Sequence, residues 1–225
     1  MALAENVFAV KQRIAEAEAR AGRDASEARI LYATKYADAG KIAELLEAEK
    51  GRVLIGENRV QDAEKKFEEL RELVGEASFA RLEKHLIGSL QSNKIRQALE
   101  AFDAIHAVDS LKLAAGLNAR AEQAGNAVPV FIEVNAGLEE TKRGFSFDEV
   151  EEAVAEVRKM KSLRVLGLMT LAPLAGPEVT RPVFRRLKEK CAKLGLLASM
   201  GMSNDFEVAI EEGSDLVRIG SLVLR

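Results

Sequence analysis

Apolar positions along the chain follow two alternating textures. Short β-branched or otherwise apolar runs are each followed by longer stretches rich in Ala, Glu, Lys, Arg and Leu. The short runs predict eight strands, at 29–34, 52–55, 85–87, 104–108, 128–134, 164–170, 196–200 and 216–219. Between them the apolar residues recur near a period of 3.6, as a helix with one buried stripe requires. Ile42, Leu45 and Leu46 mark a helix at 41–49; Val60, Ala63, Phe67, Leu70 and Leu73 mark one at 60–73. Val150, Val154 and Val157 share a face at 148–160, and a further helix at 6–20 precedes the first strand. Ser203-Asn-Asp-Phe-Glu has a hydroxyl cap followed by acids, which predicts a helix start, and Gly213 predicts its stop.

Strands alternating with helices imply parallel βαβ units. Eight units of about 25 residues suit a compact (β/α)8 TIM barrel with an additional N-terminal helix. An open doubly wound sheet is the alternative. No Ser-, Pro- or Gly-rich linker divides the chain, so residues 1–225 are expected to form one domain.

Composition narrows the function classes. Of 225 residues, 48% are apolar, which is enough for a sizeable core. Lys and Arg number 33 against 36 Asp and Glu, a net charge of −3, so a nucleic-acid partner is not expected. Cys191 is the single cysteine and cannot form an internal disulfide; with two histidines besides, no zinc cluster is expected. A start of Met1-Ala-Leu-Ala-Glu-Asn is unlike a signal peptide, and no 18-residue apolar run predicts a membrane span, so the expected setting is cytoplasmic. Trp is absent and aromatics are 5%, which argues against a base-stacking surface.

Chemistry should collect where strands end and helices begin. Lys35 ends the first predicted strand, Ile30-Leu-Tyr-Ala-Thr-Lys35. A partly desolvated lysine there can form a Schiff base with a carbonyl; a rim lysine with its head in water is the plainer reading. In Gly56-Glu-Asn-Arg-Val-Gln61 the glycine is expected to make a turn, with Asn58 and Gln61 either hydrogen-bonding a ligand or capping a helix. In His85-Leu-Ile-Gly-Ser-Leu-Gln-Ser-Asn-Lys94, His85 reads as a core histidine, and Ser92 and Asn93 as caps of a helix running to Ala101. Ser199-Met-Gly-Met-Ser203 lies after the seventh predicted strand and Arg218-Ile-Gly-Ser221 ends the eighth, the usual phosphate position of such barrels. Two plain glycine turns would look the same. Met169 and Met200 read as packing residues.

Together with Thr34-Lys35 and Gly167-Leu-Met169, these motifs occur in order and spacing over nearly the whole chain, and the sequence resembles the pyridoxal phosphate (PLP) homeostasis protein family. The resemblance implies a fold like the N-terminal barrel of bacterial alanine racemase, with PLP held as a Schiff base on Lys35. It implies that Ser199, Gly201, Gly220 and Ser221 hold the phosphate, that Arg218 faces the pyridine nitrogen, and that Asn58 lies near the cofactor. A guanidinium there would leave that nitrogen unprotonated and the ring a weak electron sink.

Such proteins resemble PLP carriers serving intracellular homeostasis, releasing PLP to apo-enzymes without established catalysis; a monomer is implied. The chain departs from the family at Thr34, where many members have Ser, and at Leu222-Val-Leu-Arg225, where members continue, which leaves closure of the last strand open. A PLP-dependent amino-acid racemase is the alternative, but it needs a second acid/base. On an extended strand Tyr32 and Tyr36, the only tyrosines, have the opposite parity to Lys35. A phosphate-binding barrel without PLP is the third reading.

Overall fold

The computed structural model describes residues 2–25, 27–135, 143–172 and 176–225. Its eight strands are β1 (Arg29–Ala33), β2 (Val53–Glu57), β3 (Leu82–Leu86), β4 (Ala104–Val108), β5 (Val128–Val134), β6 (Leu163–Thr170), β7 (Leu197–Met202) and β8 (Leu216–Ile219). All neighbours pair in parallel and the order closes on itself, β1 to β8. Closure excludes the open sheet. It also answers the question raised by the chain's last residues: Arg29 to Tyr32 pair with Leu216 to Ile219 without interruption.

The helical layer is α1 (Leu3–Arg20), α2 (Ala39–Ala48), α3 (Val60–Phe79), α4 (Ile95–Ala101), α5 (Leu111–Gln123), α6 (Val150–Arg158), α7 (Pro177–Leu194), α8 (Phe206–Glu211) and α9 (Ser221–Leu224). Leu3, Val7, Val10, Ile14 and Ala17 form the buried stripe of α1, the helix that precedes the barrel. Asp38 caps α2 by accepting the Lys41 N–H at 2.8 Å, and Ser110 caps α5. Among the described residues no helix is long and apolar enough to cross a membrane.

The main mismatch with the hydrophobic pattern is β3, which begins at Leu82 rather than at residue 85. Glu83 and Lys84 disguise it. Both charges are matched where the strand enters the barrel: Glu83 lies 3.6 Å from each of Arg29 and Arg52, and Lys84 lies 3.4 Å from Asp103.

Two apolar volumes follow from the strand alternation. Outward positions such as Ile55, Ile105, Val130, Ile132 and Val217 pack under the helices. Leu31, Leu54, Phe131, Met169 and Leu216 form a separate cluster with Ile87, and Met200 lies in the larger core, so both methionines are packing residues. Gly56 does not make a turn. It lies within β2, where an added Cβ would sit 2.4 Å from Leu31 Cδ2 and 2.8 Å from Ile87 Cδ1. Its missing side chain is what admits the two apolar neighbours.

Gly56→Ala is therefore expected to destabilise the protein by about 1–3 kcal/mol through overpacking. Gly40→Ala, near the start of α2 with only an ordinary 3.5 Å contact, should be neutral or stabilising by about 0.5 kcal/mol. Urea denaturation of the two variants against the parent checks both.

Candidate functional site

The first strand stops at Ala33, so Lys35 does not end it. The Ala37 N–H donates to the Thr34 carbonyl at 2.9 Å, closing a β-turn with Lys35 and Tyr36 at its centre. Lys35 is exposed, and its Nζ lies 5.0 Å from the centroid of the Tyr36 ring. The parity argument for Tyr36 is corrected accordingly, since this residue is in a turn and 83% exposed. Tyr32 does lie on the strand, buried, with its hydroxyl donating to Glu49. Burial and that carboxylate push the phenol well above its ordinary value.

Barrel closure sets β8 beside this turn. Leu31 pairs with Arg218, and an added Cβ on Gly220 would lie 3.0 Å from the Ala33 carbonyl. The end of β8 thus abuts the end of β1, which is where Lys35 begins.

Arg218 is buried. One of its Nη groups donates to the Ser199 carbonyl at 2.8 Å and the Ser199 hydroxyl at 2.9 Å; the other donates to the Thr170 carbonyl at 2.7 Å. Burial lowers its pKa to about 10, opposed by the nearby negative charges of Asp205 and Glu133. The guanidinium stays charged at neutral pH. Burial in turn raises the pKa of Glu133, with Asp109 adding to the effect, and burial raises that of Asp205.

Ser199 is fully buried within β7, so the motif expected to follow that strand is mostly part of it. Between Ser199 and Met202 the register with β8 shifts by one residue. Gly201 takes up this bulge at φ +89°, and an added Cβ would lie 2.5 Å from Ala209 Cβ. Residue 203 does not cap the helix. Asp205 accepts the Met202 N–H at 2.6 Å and α8 begins at Phe206. The Ser203 hydroxyl instead accepts the Gly220 N–H at 3.4 Å, joining the two loops. Gly213 ends α8's last turn at φ +90°, as expected of a stop signal.

Ser221 is exposed and opens α9. The first residues bonded back to Gly220 are Val223 and Leu224, so the N–H groups of Ser221 and Leu222 precede those bonds. Lys35, Arg218, Gly201, Gly220, Ser221 and Ser203 are thus gathered at the ends of three adjoining strands. Asn58 follows β2, half-buried, with its backbone against Gly88: a Cβ there would lie 2.3 Å from the Asn58 carbonyl. The two long motifs meet at that contact. Ser92 and Asn93 are not helix caps by side-chain bonding; they form a 3-10 turn before α4. They line a groove of about 430 Å³ against Gly116 and Arg120 of α5.

One polar chain was missed by the pattern of motifs. Glu83 Oε1 lies 3.0 Å from His85 Nε2, and His85 Nδ1 lies 2.7 Å from His106 Nε2. A carboxylate accepts, so His85 Nε2 donates to Glu83, and the two imidazoles share one hydrogen bond. His106 Nδ1 is buried without a partner, and the ring stacks on Phe131 at 4.0 Å. Burial, then His85 and Arg218, hold the His106 pKa well below its ordinary value, while the bond from His85 lowers Glu83 to about 2. Among the described residues no group of three or more His, Cys, Asp or Glu could hold a metal ion. Cys191 is buried, and burial pushes its thiol up to about 12.

A parallel barrel with a lysine, a buried arginine and paired hydroxyl- and glycine-bearing loops at its C-terminal rim defines a class, and comparison with known proteins places it. The alanine racemase, N-terminal domain family matches residues 6–224. The chain belongs to the pyridoxal phosphate homeostasis protein branch of these barrels. It is 40% identical to the "Pyridoxal phosphate homeostasis protein" of Aquifex aeolicus, over 97% of this chain and 96% of the relative. The protein of that name from Escherichia coli K12 is 36% identical, over 98% and 95%. Among solved structures, PipY of Synechococcus elongatus PCC7942 with PLP bound superposes with a TM-score of 0.82 at 29% identity, covering 99% of this chain and all of that one. The alanine racemase of Clostridium difficile 630 shares the fold, with a TM-score of 0.67 at 17% identity; 95% of this chain covers 55% of the racemase.

The His106 pKa is lowered in the folded chain, so at mildly acidic pH the unfolded state takes up a proton that the native state refuses. The stability it contributes is complete above the ordinary imidazole value of 6.5 and is lost as pH falls below it. Over that range wild-type stability should fall by up to about 1.4 kcal/mol per pH unit from this ring. In His106→Phe that component of the slope should vanish, as read by denaturant titrations across the interval.

Proposed function

We propose that this chain binds pyridoxal 5'-phosphate, carries it as a Schiff base on Lys35, and serves intracellular PLP homeostasis. The observation that carries this reading is the β1–β8 closure, which puts the Lys35 turn against Gly220 beside buried Arg218. The relatives' names and PLP-bound PipY support it. When bound, PLP supplies an aldehyde that condenses with an amine, and a phosphate that anchors it.

The residues present suit that group. Gly201 and Gly220 are positions where a side chain would clash with the backbone or helix beside them. The Ser203 and Ser221 hydroxyls and the N–H groups of Ser221 and Leu222 would hold the phosphate; the bond that Ser203 now accepts from Gly220 is long, at 3.4 Å. Ser199 contributes through Arg218, since its hydroxyl accepts from that guanidinium. Arg218 would donate toward the pyridine nitrogen, and Asn58 would border the ring. Lys35 is exposed on a flexible four-carbon stem and can swing from Tyr36 to the aldehyde.

A carrier needs no second acid/base, and the tyrosines offer none suitably placed: Tyr32 is bonded to Glu49, and Tyr36 is exposed in the turn. We therefore read the chain as a non-catalytic, monomeric, cytoplasmic carrier. Residues 1–225 act as one unit, and PLP passes to apo-enzymes without nucleic acid or membrane as partner.

Incubation with PLP should turn the protein yellow, and borohydride should fix a pyridoxyl group on Lys35, read by peptide mapping. In Lys35→Ala that adduct should be lost; an undiminished adduct on another residue would sink the assignment. Arg218→Glu should shift the absorbance band of the bound cofactor, and an unchanged band would remove Arg218 from the ring. A panel of L-amino acids should give no turnover; racemisation at about 1–1000 per second would make the chain an enzyme.

A further inference from the structure

Thr34, the residue before Lys35, is fully buried and every polar group it has is engaged. Its N–H donates to the Gly56 carbonyl at 2.9 Å. Its hydroxyl donates to Glu57 Oε1 at 2.6 Å. Its carbonyl accepts twice, from the Ala37 N–H at 2.9 Å and from Lys66 Nζ at 2.9 Å. The same Lys66 ammonium donates to Glu57 Oε1 at 2.8 Å. The Glu57 side chain is 2% exposed and that of Lys66 13%.

Lys66 belongs to α3, outside the barrel wall. Val60, Ala63, Phe67 and Leu70 already bury the apolar stripe of that helix. An ion pair shielded from water gains little over apolar packing, because desolvation offsets the attraction. What this pair does that an apolar side chain could not is hold one particular carbonyl. The Thr34 oxygen belongs to the peptide group that leads into Lys35. Fixing it from two directions fixes that peptide plane, and so the direction in which the Lys35 side chain leaves the turn.

We propose that Lys66, braced by Glu57, is a positioning residue for Lys35: from the helical layer it sets the turn that aims the Schiff-base amine at the cofactor. Thr34 completes the brace through its hydroxyl. The inference rests on the reading of Lys35 as the attachment point.

The test uses the full chain as Lys66→Arg, Lys66→Met and the double variant Glu57→Gln/Lys66→Met, which leaves no unpaired buried charge. Amide exchange is followed in the PLP-free protein, and uptake of PLP into the borohydride-reducible form is followed with time. In the double variant the Ala37 amide should exchange faster while that of Ile132 in β5 is unchanged. PLP uptake should slow by about tenfold or more, as misaligned reacting groups do. Lys66→Arg, which keeps a cationic donor, should recover part of the rate. Wild-type uptake and wild-type Ala37 exchange in the double variant would overturn the proposal. So would a uniform rise in exchange across the barrel, which marks a merely structural pair. If the wild type itself formed no adduct on Lys35, the attachment reading would fail, while the Ala37 exchange would still report on the brace.

Discussion

The constraint on which the site depends is closure of the sheet between its first and last strands. Until β1 and β8 pair, Lys35 and Arg218 are nearly two hundred residues apart in an open chain. Four consecutive backbone pairings, Arg29 with Leu216 through Tyr32 with Ile219, bring them together. The loops after β7 and β8 lie beside each other because those two strands pair, and the Ser203 hydroxyl meets the Gly220 N–H there. No feature of either loop would achieve this alone. The geometry is a property of the barrel, and the residues exploit it.

Buried charge inside the barrel wall is handled in two distinct ways. Arg218 is satisfied mainly by main-chain carbonyls, from Ser199 and Thr170, with Asp205 and Glu133 acting only as nearby charges. It is therefore fixed in direction by rigid backbone. The Glu83–His85–His106 chain instead ends in a neutral ring against Phe131. The first arrangement maintains a cation held in one direction; the second ends in a ring that burial keeps uncharged.

Most of the architecture was legible in local pattern, since the strands other than β3 are short and mostly apolar. β3 was truncated because Glu83 and Lys84 look like loop residues until Arg29, Arg52 and Asp103 are seen to flank them. His106 was overlooked inside the apolar run Ala104–Val108, although strand alternation puts it on the opposite face from Ile105. Two histidines on neighbouring strands were the available signal. Ser203 was read as a helix cap, and only the structure shows Asp205 ordering that turn and the hydroxyl directed to Gly220. Gly56 had the right prominence and the wrong reason. The brace on Thr34 had no sequence signature at all, because Lys66 meets it only after a strand and a helix have packed.

The first helix has a consequence for folding. α1 packs against α2, α8 and α9, and the Asn6 side chain reaches the Val223 carbonyl. This helix therefore finds part of its cover close by and the rest only in elements far along the chain. An intermediate in which α8 and α9 have not yet docked leaves part of the Val7, Val10 and Ile14 stripe in water, so that partly folded state is the one most exposed to aggregation.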